Sequence, residues 1–535
     1  MSSERPNPPR GRFAAVRRRI ESLVESHEVF GGVMSLLLHL AIVMVLAMLF
    51  FPLPQRGGGL EIVTDTSLPG DLGEKPTDVP LPVESVSNDD GDESKQPADT
   101  AQVTENAVET ETTVAQEAGT VAGTANAPEA PLTVGEGAPP VRGVDGSRIG
   151  GFVAGGGLDG RNAGQRGRCL DVGDTTAQSE EAVERALNWL AAHQCKDGGW
   201  NFDLERNDSD SSGCGLCRNG GNHGSRVAAT AAALLPFLGA GYSPDPVKKG
   251  KHWKTIDRGL AFLIRNGQKN RIDPGEKTLD FRQGYQGMYT QGLAVLALSE
   301  ASAMNPRIKI LSESAQEGVN FIIKAQDVSV SGGWRYRPRE VPGDLSVTGW
   351  QLMALKSAHL ADLYVPKPSL YRVGDFLDVL QYDGGRQYDY IPKRWSREGT
   401  GTGEGPDSSK TCTAIGLLSR LYLGWAPGEP KLDRGMEVLQ EWGPLKNDDR
   451  QCNLYYAYYA SLAMHHYGGS GWHRWFPKLR DHLVASQSYQ GHENGSWHYP
   501  DHYCDTAGRV FNTALAAMIL EVPYRYMPLY RSMEN

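Results

Sequence analysis

Two kinds of hydrophobic pattern alternate along the C-terminal two thirds of the chain. The first is an amphipathic stretch that ends in Gln and continues into a Gly-rich turn, often with a Trp. Good copies end at Gln194, Gln326 and Gln487, and degenerate copies at Gln268, Gln381 and Gln440. The second is a stretch of small and apolar residues, such as VAATAAALLPFLGAG and FNTALAAMILEV. Both patterns have helical spacing, so the sequence predicts six helical hairpins.

The repeat spacing predicts how these hairpins assemble. Successive Gln positions are 47 to 74 residues apart, and repeats of this kind bury their faces only against their neighbours. Helices rich in Ala and Gly suit an inner ring because their backbones can approach closely. We therefore predict an all-α fold over residues 168–535, an (α/α)6 toroid of six helical hairpins. An open solenoid is the alternative, but the sequence has no polar capping repeats.

The Gln-to-Trp element resembles the QW repeat of squalene-hopene cyclases and the related protein prenyltransferases. The resemblance extends from about residue 181 to 522 and rests on the copies ending at Trp200, Trp334 and Trp497. It implies a terpenoid cyclase-like toroid in which the Gln and Trp side chains have structural roles. The catalytic motifs of these families are absent: the domain has no Asp-x-Asp-Asp, and no Asp-x-Cys occurs in the chain. The resemblance thus implies the fold without the activity.

The N-terminal third has a different character. Residues 1–30 are basic, and residues 31–53 contain an apolar run, Val33 to Phe51, that is long enough to span a bilayer. The positive-inside rule places the N-terminus in the cytoplasm and the C-terminal domain in the periplasm. This predicts a single-pass protein of the cytoplasmic membrane. A cleaved signal peptide is the alternative, and it fits poorly because no small-residue cleavage site follows the run.

Two polar residues, Ser35 and His39, lie four positions apart within the apolar run. SLLLH resembles the Ser-x-x-x-His element in the membrane helix of TonB-like energy transducers. That resemblance implies coupling to a membrane partner. The alternative is a tolerated polar pair near the cytoplasmic end of an ordinary anchor.

Residues 54–167 are rich in Pro, Gly, Thr, Ala, Asp and Glu, and no aromatic residue occurs from Pro54 to Gly151. Such a composition predicts a disordered acidic linker, because it cannot bury enough apolar surface to offset the entropy lost on ordering. The net charge of −10 argues against nucleic acid as a partner, since nucleic-acid binders present a basic surface.

Candidate site residues are expected at the starts of the inner helices, where a toroid opens onto its central cavity. Asp344 and Asp505 are the candidate catalytic acids, although an Asp before a helix is also a common N-cap. The candidate ligand-binding residues are His223, Tyr289, Lys410, Asn453, Tyr455, Tyr456 and Arg509. The neighbouring tyrosines Tyr458 and Tyr459 are equally consistent with plain packing.

Four residues in the first repeat could bind zinc: Cys195, Cys214, Cys217 and His223. In an oxidising compartment a disulfide from Cys195 to Cys214 or Cys217 is the favoured alternative. The third interpretation is that these cysteines are free thiols. Zinc is thus the candidate cofactor, and no cofactor is required by the sequence.

Three functions follow from these patterns. The main interpretation is a membrane-anchored extracytoplasmic protein with squalene cyclase/prenyltransferase repeats, whose toroid binds a glycan, lipid or protein of the cell envelope. The first alternative is an enzyme of terpene-cyclase or polysaccharide-lyase type that uses cavity Asp and Tyr residues. The second is a TonB-like transducer.

Overall fold

The computed structural model describes residues 152, 157–205, 214–247, 249–329, 331–393, 405–445, 453–500 and 506–530, with only the backbone for 405–409. They all belong to one compact unit, Glu129–Asn535. The predicted membrane span, the Ser35/His39 pair and most of the linker lie outside the described residues. Within the described residues, no helix combines the length and the apolar character that a membrane crossing requires.

Helices dominate the described chain, and they alternate between an inner and an outer set. A short helix α1, Ala163–Asp171, precedes both sets. The outer helices are α2 (Ala177–Ala192), α4 (Trp253–Asn266), α6 (Lys309–Ala325), α8 (Lys367–Leu380), α10 (Pro430–Trp442) and α12 (Gly469–Ser486). The inner helices are α3 (Arg226–Gly239), α5 (Gly287–Met304), α7 (Leu345–Leu360), α9 (Gly405–Tyr422), α11 (Leu454–Tyr467) and α13 (Gly508–Leu520). A final turn, α14, spans Val522–Arg525.

Strands are minor in this part of the chain. Two antiparallel two-stranded ribbons lie in the turns that follow the outer helices α4 and α8. Strand β1 (Gln268–Lys269) pairs with β2 (Leu279–Asp280), and β3 (Gln381–Tyr382) pairs with β4 (Gln387–Tyr388).

The inner helices form a closed ring. Each inner helix packs against the next along the chain, and α13 packs against α3. Their faces are small enough for close approach: a Cβ added to Gly349 of α7 would lie 2.5 Å from the Ile415 side chain of α9. Nearly every residue of α3, α5, α7 and α11 is buried. The all-α toroid predicted from the repeats is therefore the observed fold, and the open solenoid is not.

Outer helices are amphipathic, and three of them begin at a recognisable local signal. Thr176 starts α2 with a reciprocal capping box, in which its hydroxyl accepts the Ser179 amide while the Ser179 hydroxyl accepts the Thr176 amide. Pro follows the first position of α8 and opens α10, where a missing amide hydrogen costs nothing.

Three Gln side chains make the same pair of hydrogen bonds, which we term the Gln clamp. The Gln side-chain amide donates to the carbonyl of a Gly in its own turn and to a carbonyl near the start of the next outer helix. The bonds join Gln194 to Gly198 and Thr255 (2.8 and 2.9 Å), Gln326 to Gly332 and Ser369 (2.7 and 3.0 Å), and Gln487 to Gly495 and Ala182 (2.9 and 2.8 Å). The last of these clamps links the sixth repeat to the first.

The Trp of each good copy fixes the turn to its own hairpin. The indole N–H of Trp200, Trp334 and Trp497 donates to a carbonyl of the preceding outer helix at 2.8 Å each. Their backbone amides donate to a Thr hydroxyl on the following inner helix. Each turn is thus tied to its own two helices and to the next repeat.

The clamp holds a turn glycine close against the next outer helix, and this close approach predicts that the glycine cannot be replaced. Gly332 has φ +81°, and an added Cβ would lie 2.5 Å from the Arg372 carbonyl oxygen of the next outer helix. Gly332→Ala should destabilise the fold by about 3 kcal/mol or more, because steric overlap adds to backbone strain. Gly275 is the matched control: its φ is +88°, but no atom lies within 4 Å of the added Cβ. We expect Gly275→Ala to cost about 1 kcal/mol.

Urea denaturation of both variants measures this difference. Equal losses in the two variants would contradict the steric part of the argument.

Candidate functional site

A cavity of about 510 Å³ opens at the N-terminal ends of the inner helices. Its wall is mostly aromatic and hydroxylic, with one Arg, one His and one Gln. The lining residues are Phe202, His223, Ala228, Gln286, Tyr289, Thr290, Leu293, Arg335, Tyr336, Ser346, Trp350, Tyr390, Thr411, Cys412, Tyr455, Thr506, Ala507 and Phe511. None of these is a carboxylate. The volume lies within the roughly 300–1,000 Å³ of small-molecule sites.

Aromatic side chains fill the middle of the ring below this cavity. Trp350 of α7 lies 6.0 Å from Tyr458 and 5.7 Å from Tyr459 of α11, measured between ring centroids. Tyr458 and Tyr459 are fully buried, so the packing interpretation of these two tyrosines is the observed one.

The opposite end of the ring contains a buried ionic cluster. Arg525 is bonded to Glu300 at 2.9 Å and to Glu521 at 2.9 Å, and Arg161 lies 3.1 Å from Glu300. All four side chains are at most 3% exposed. Burial raises the pKa of Glu521 to about 8 despite these two Arg neighbours. The cavity is therefore open at one end of the ring and backed by packed side chains at the other.

Asp344 lies immediately behind the cavity wall and is fully buried. As the N-cap of α7 it accepts the Val347 amide at 2.8 Å. The same oxygen accepts a hydrogen bond from the Ser346 hydroxyl at 2.8 Å, and Ser346 is 2.5 Å from the Tyr289 hydroxyl. A buried carboxyl is thus connected to a cavity hydroxyl through one serine.

A second pair of hydroxyls lies on the other side of Asp344. The Tyr390 hydroxyl lies near enough to the Asp344 carboxyl to lower its pKa slightly, and it is 2.7 Å from the Tyr336 hydroxyl. Tyr289, Tyr336, Tyr390 and Ser346 all line the cavity, so the buried Asp344 carboxyl lies directly behind a group of cavity hydroxyls.

Burial controls the protonation of this network. It raises the pKa of Asp344 to about 6, although hydrogen bonds from Val347 and Ser346 oppose the rise. Burial likewise raises the pKa of Tyr289 well above its ordinary value, to which the nearby Asp344 charge adds. Desolvation lowers the pKa of His223, and the His223 Nδ1 accepts the Ser225 amide at 3.2 Å. Near neutral pH, Tyr289 is therefore a proton donor, and neutral His223 carries its hydrogen on Nε2.

The structure brings three of the predicted ligand-binding residues into this cavity: His223, Tyr289 and Tyr455. Asp344 is one hydrogen bond away from it, and its capping role is also observed. Asp505 lies outside the described residues.

The other predicted ligand-binding residues do not line the cavity. Asn453 caps α11 by accepting the Tyr456 amide at 2.9 Å, and the Tyr456 hydroxyl donates to the Gly443 carbonyl. The Lys410 ammonium lies 5.5 Å from the centre of the Trp442 ring. Arg509 donates to the Arg218 carbonyl and contacts Glu493 at 3.1 Å. These contacts are structural ones.

Three aromatic wall residues were missed although the sequence contains a signal for them. Phe202, Tyr336 and Tyr390 line the cavity, and each lies two positions after the turn aromatic of its repeat, namely Trp200, Trp334 or Tyr388. Since those aromatics anchor the turns, the second residue beyond each one reaches the same end of the ring.

The cysteines of the first repeat also differ from expectation. Neither Cys214 nor Cys217 forms a disulfide with Cys195, so the favoured disulfide prediction is wrong. Of the four predicted metal ligands, only Cys214 and Cys217 come together, and they do so with His193 and His492. One potential ligand atom from each of these four lies within 4.8 Å of the others. Cys195 and His223 are not members of this group.

The buried acid predicts a specific pH dependence of stability. The Asp344 pKa rises from 3.8 to about 6 on folding, so folding favours the protonated acid. Its contribution is fully present below pH 4 and is lost as the pH rises through 6, which amounts to about 3 kcal/mol.

Asp344→Asn keeps the cap and cannot ionise. Urea titrations of both proteins between pH 4 and 7 should therefore show the wild type losing stability relative to the variant by about that amount. A pH-independent difference between them would contradict the raised pKa.

Comparisons with known proteins give a fold likeness only. No family model matches the chain, and no curated protein matches it. Among solved structures, a GH76 mannosidase from Bacteroides thetaiotaomicron matches with TM-score 0.43 and 11% identity over 65% of this chain and 98% of that chain. A GH76 alpha-mannanase from the same organism matches with TM-score 0.39 and 11% identity over 56% of this chain and 86% of that chain. An alpha-amylase from Clostridium perfringens matches with TM-score 0.40 and 11% identity over 64% of this chain and 97% of that chain.

These neighbours correct the main functional interpretation. All three are described as carbohydrate-acting enzymes, which contradicts the main interpretation of a ligand-binding toroid of squalene cyclase type and is closer to its enzymatic alternative. They agree with an α/α toroid in general and give no specific support to squalene cyclases or QW repeats. Because folds host many chemistries, the activity has to be argued from the cavity itself.

Proposed function

We propose that the toroid is an enzyme that cleaves glycosidic bonds in its central cavity. Tyr289 is the general acid, and Asp344 is the proton source behind it. The observation that carries this proposal is the hydrogen-bonded chain from the buried Asp344 carboxyl through Ser346 to the Tyr289 hydroxyl on the cavity wall. We refer to these three residues as the relay.

The lining of the cavity favours a carbohydrate substrate. Aromatic rings such as Trp350 and Phe511 offer apolar faces, and hydroxyl and amide groups such as Tyr336 and Gln286 offer hydrogen bonds. Sugars present both kinds of surface. A terpene-cyclising site needs inert walls, since hydroxyl oxygens have lone pairs that would trap a carbocation. The hydroxyl network therefore argues against the terpene-cyclase form of the enzyme.

The relay can deliver one proton without creating a charge on its two hydroxyls. The Tyr289 hydroxyl donates its proton to the glycosidic oxygen as the bond to that oxygen breaks. The proton donor is Asp344 in its protonated form, in which the carboxyl hydrogen bonds to the Ser346 oxygen and the Ser346 hydrogen turns toward Tyr289. Ser346 then reprotonates Tyr289, and Asp344 reprotonates Ser346, which leaves a carboxylate at Asp344. A pKa of about 6 for Asp344 suits this role, because a general acid works best when its pKa lies near the working pH.

Hydrolysis and elimination of a glycosidic bond both use this proton transfer. They differ in the second catalytic residue that they need. A hydrolase needs a second carboxylate, and the described lining residues include none. Asp505, the second acid predicted from the sequence, directly precedes the wall residue Thr506 and stays a candidate for that role. The predicted extracytoplasmic location also stays a prediction, under which envelope glycans would be the available substrates.

A screen of soluble polysaccharides, with neutral and uronic-acid sugars, tests the proposed function. Release of reducing ends is expected for at least one member. An accompanying rise in ultraviolet absorbance would indicate an unsaturated product and hence elimination, whereas its absence would indicate hydrolysis. Failure to cleave any member would contradict the proposal.

Variants of the relay test the mechanism. Asp344→Asn and Tyr289→Phe should each lower kcat by about 10²-fold or more, the scale of general-acid catalysis. Asp344→Asn should leave stability at neutral pH undiminished, since it keeps the cap and removes a buried charge. Asp362→Asn is the matched control: Asp362 is exposed beyond the other end of α7 and should retain full activity. Full activity in Asp344→Asn would exclude the relay.

A further inference from the structure

Two cysteines and two histidines meet where the first repeat contacts the last. The Cys217 Sγ lies 3.3 Å from the His193 Nε2 and 3.3 Å from the His492 Nδ1. Cys214 completes the group, which we term the Cys2His2 cluster, and all four potential ligand atoms lie within 4.8 Å of one another. In a tetrahedral zinc site, Zn–S and Zn–N bonds of about 2.3 and 2.05 Å place neighbouring ligand atoms roughly 3.3–3.8 Å apart. The cluster is close to that geometry.

The cysteine pair is held in a conformation suited to ligation. The Cys214 Sγ accepts the amide N–H groups of Leu216 at 3.5 Å and Cys217 at 3.2 Å. The intervening Gly215 has φ +65°, which allows the chain to fold back so tightly. Amide donors aimed at sulfur stabilise a thiolate, the form in which cysteine binds metals.

The first histidine is oriented by its backbone. The His193 Nδ1 lies 2.6 Å from the Trp189 carbonyl oxygen, so Nδ1 carries the hydrogen and donates it. This leaves the lone pair on Nε2, the nitrogen that faces Cys217. In metal-binding histidines, a hydrogen bond donated by the ring nitrogen that does not bind the metal fixes the tautomer in this way.

We propose that Cys214, Cys217, His193 and His492 bind one zinc-type divalent cation that joins the two ends of the toroid. The donor set, two sulfurs and two imidazoles, is that of structural zinc. All four positions of a tetrahedral ion are supplied by the protein, so the site holds the structure together and leaves no position open for substrate.

The cluster joins three distant segments of the chain. His193 caps α2, Cys214 and Cys217 belong to the loop that leads to α3, and His492 lies in the turn between α12 and α13. Adjacent contacts continue the same seam: Arg218 pairs with Glu493, and Gly220 forms a β-bridge with Gly508.

The cavity wall depends on this seam. The His223 amide donates to the Thr506 carbonyl at 2.9 Å, and both residues line the cavity. A metal six residues earlier, at Cys217, would hold the loop that carries His223 against the last repeat. The proposed metal therefore stabilises the ring and one side of the cavity together.

Metal content of the full-length chain tests the proposal. The protein is purified in mild detergent and a reducing buffer free of chelators, and zinc is counted by elemental analysis. We expect one zinc per chain. Replacement by Co²⁺ should give the sulfur-to-metal absorption of a tetrahedral dithiolate site. Cys217→Ser should lose the metal, whereas Cys195→Ser, which removes a buried cysteine outside the cluster, should keep one equivalent.

Alkylation of the wild-type protein provides a test that does not depend on a variant folding. Zinc should protect Cys214 and Cys217 from iodoacetamide, and removal of the metal by a chelator should expose these two sulfurs first. Chelation should also lower Tm by about 5 °C or more, since a structural metal contributes folding free energy.

Three results would overturn the proposal. They are less than a tenth of an equivalent after incubation with zinc, metal that persists in Cys217→Ser, and a Cys214–Cys217 disulfide in the reduced preparation. Each would show that these four residues are not a metal site.

Discussion

The Gln clamp is the interaction on which the ring depends, because it bonds each good turn both to itself and to the next outer helix. The side-chain amide of Gln326 reaches the carbonyls of Gly332 and Ser369, and Gln487 does the same across the seam to Ala182. Buried carbonyls at a helix start and a turn would otherwise lack partners, at a cost of about 1–3 kcal/mol each. The clamp therefore fixes the angle between neighbouring repeats at three junctions, and the clamp of Gln487 closes the circle.

Closure of the circle determines where chemistry can occur. All six inner helices run in the same direction, so their N-terminal ends meet at one end of the ring and their C-terminal ends at the other. The C-terminal end is filled by the cluster around Glu300 and Arg525. The N-terminal end remains hollow, and there the cap of α7, Asp344, is buried behind a wall of tyrosines. Burial thereby raises the pKa of a residue that is placed for helix capping to about 6.

Much of the fold and part of the site were predictable from local patterns. Gln, Gly and Trp at fixed spacing, with small-residue helices between them, indicated six hairpins and a closed ring. Helix starts indicated Asp344, Tyr289, Tyr455 and His223, because a position before or within the first turn of an inner helix must face the cavity end. Other residues at the helix starts were wrongly predicted to line the cavity because their side chains point away from it. Tyr456, for example, donates its hydroxyl hydrogen to the Gly443 carbonyl.

The sequence by itself determined the repeat, the helices and the end of the ring at which the site lies, since these follow from periodicity and local capping. Only the tertiary structure decided which distant residues meet. Cys214 and Cys217 signalled their own pairing by their spacing, but His492 joins them from 275 residues away, and Tyr390 reaches Asp344 from the turn of another hairpin. The first contact exists only after the last repeat has packed against the first, and the second only after two neighbouring hairpins have packed together. A local pattern specifies a helix face and not the partner that tertiary packing brings to it.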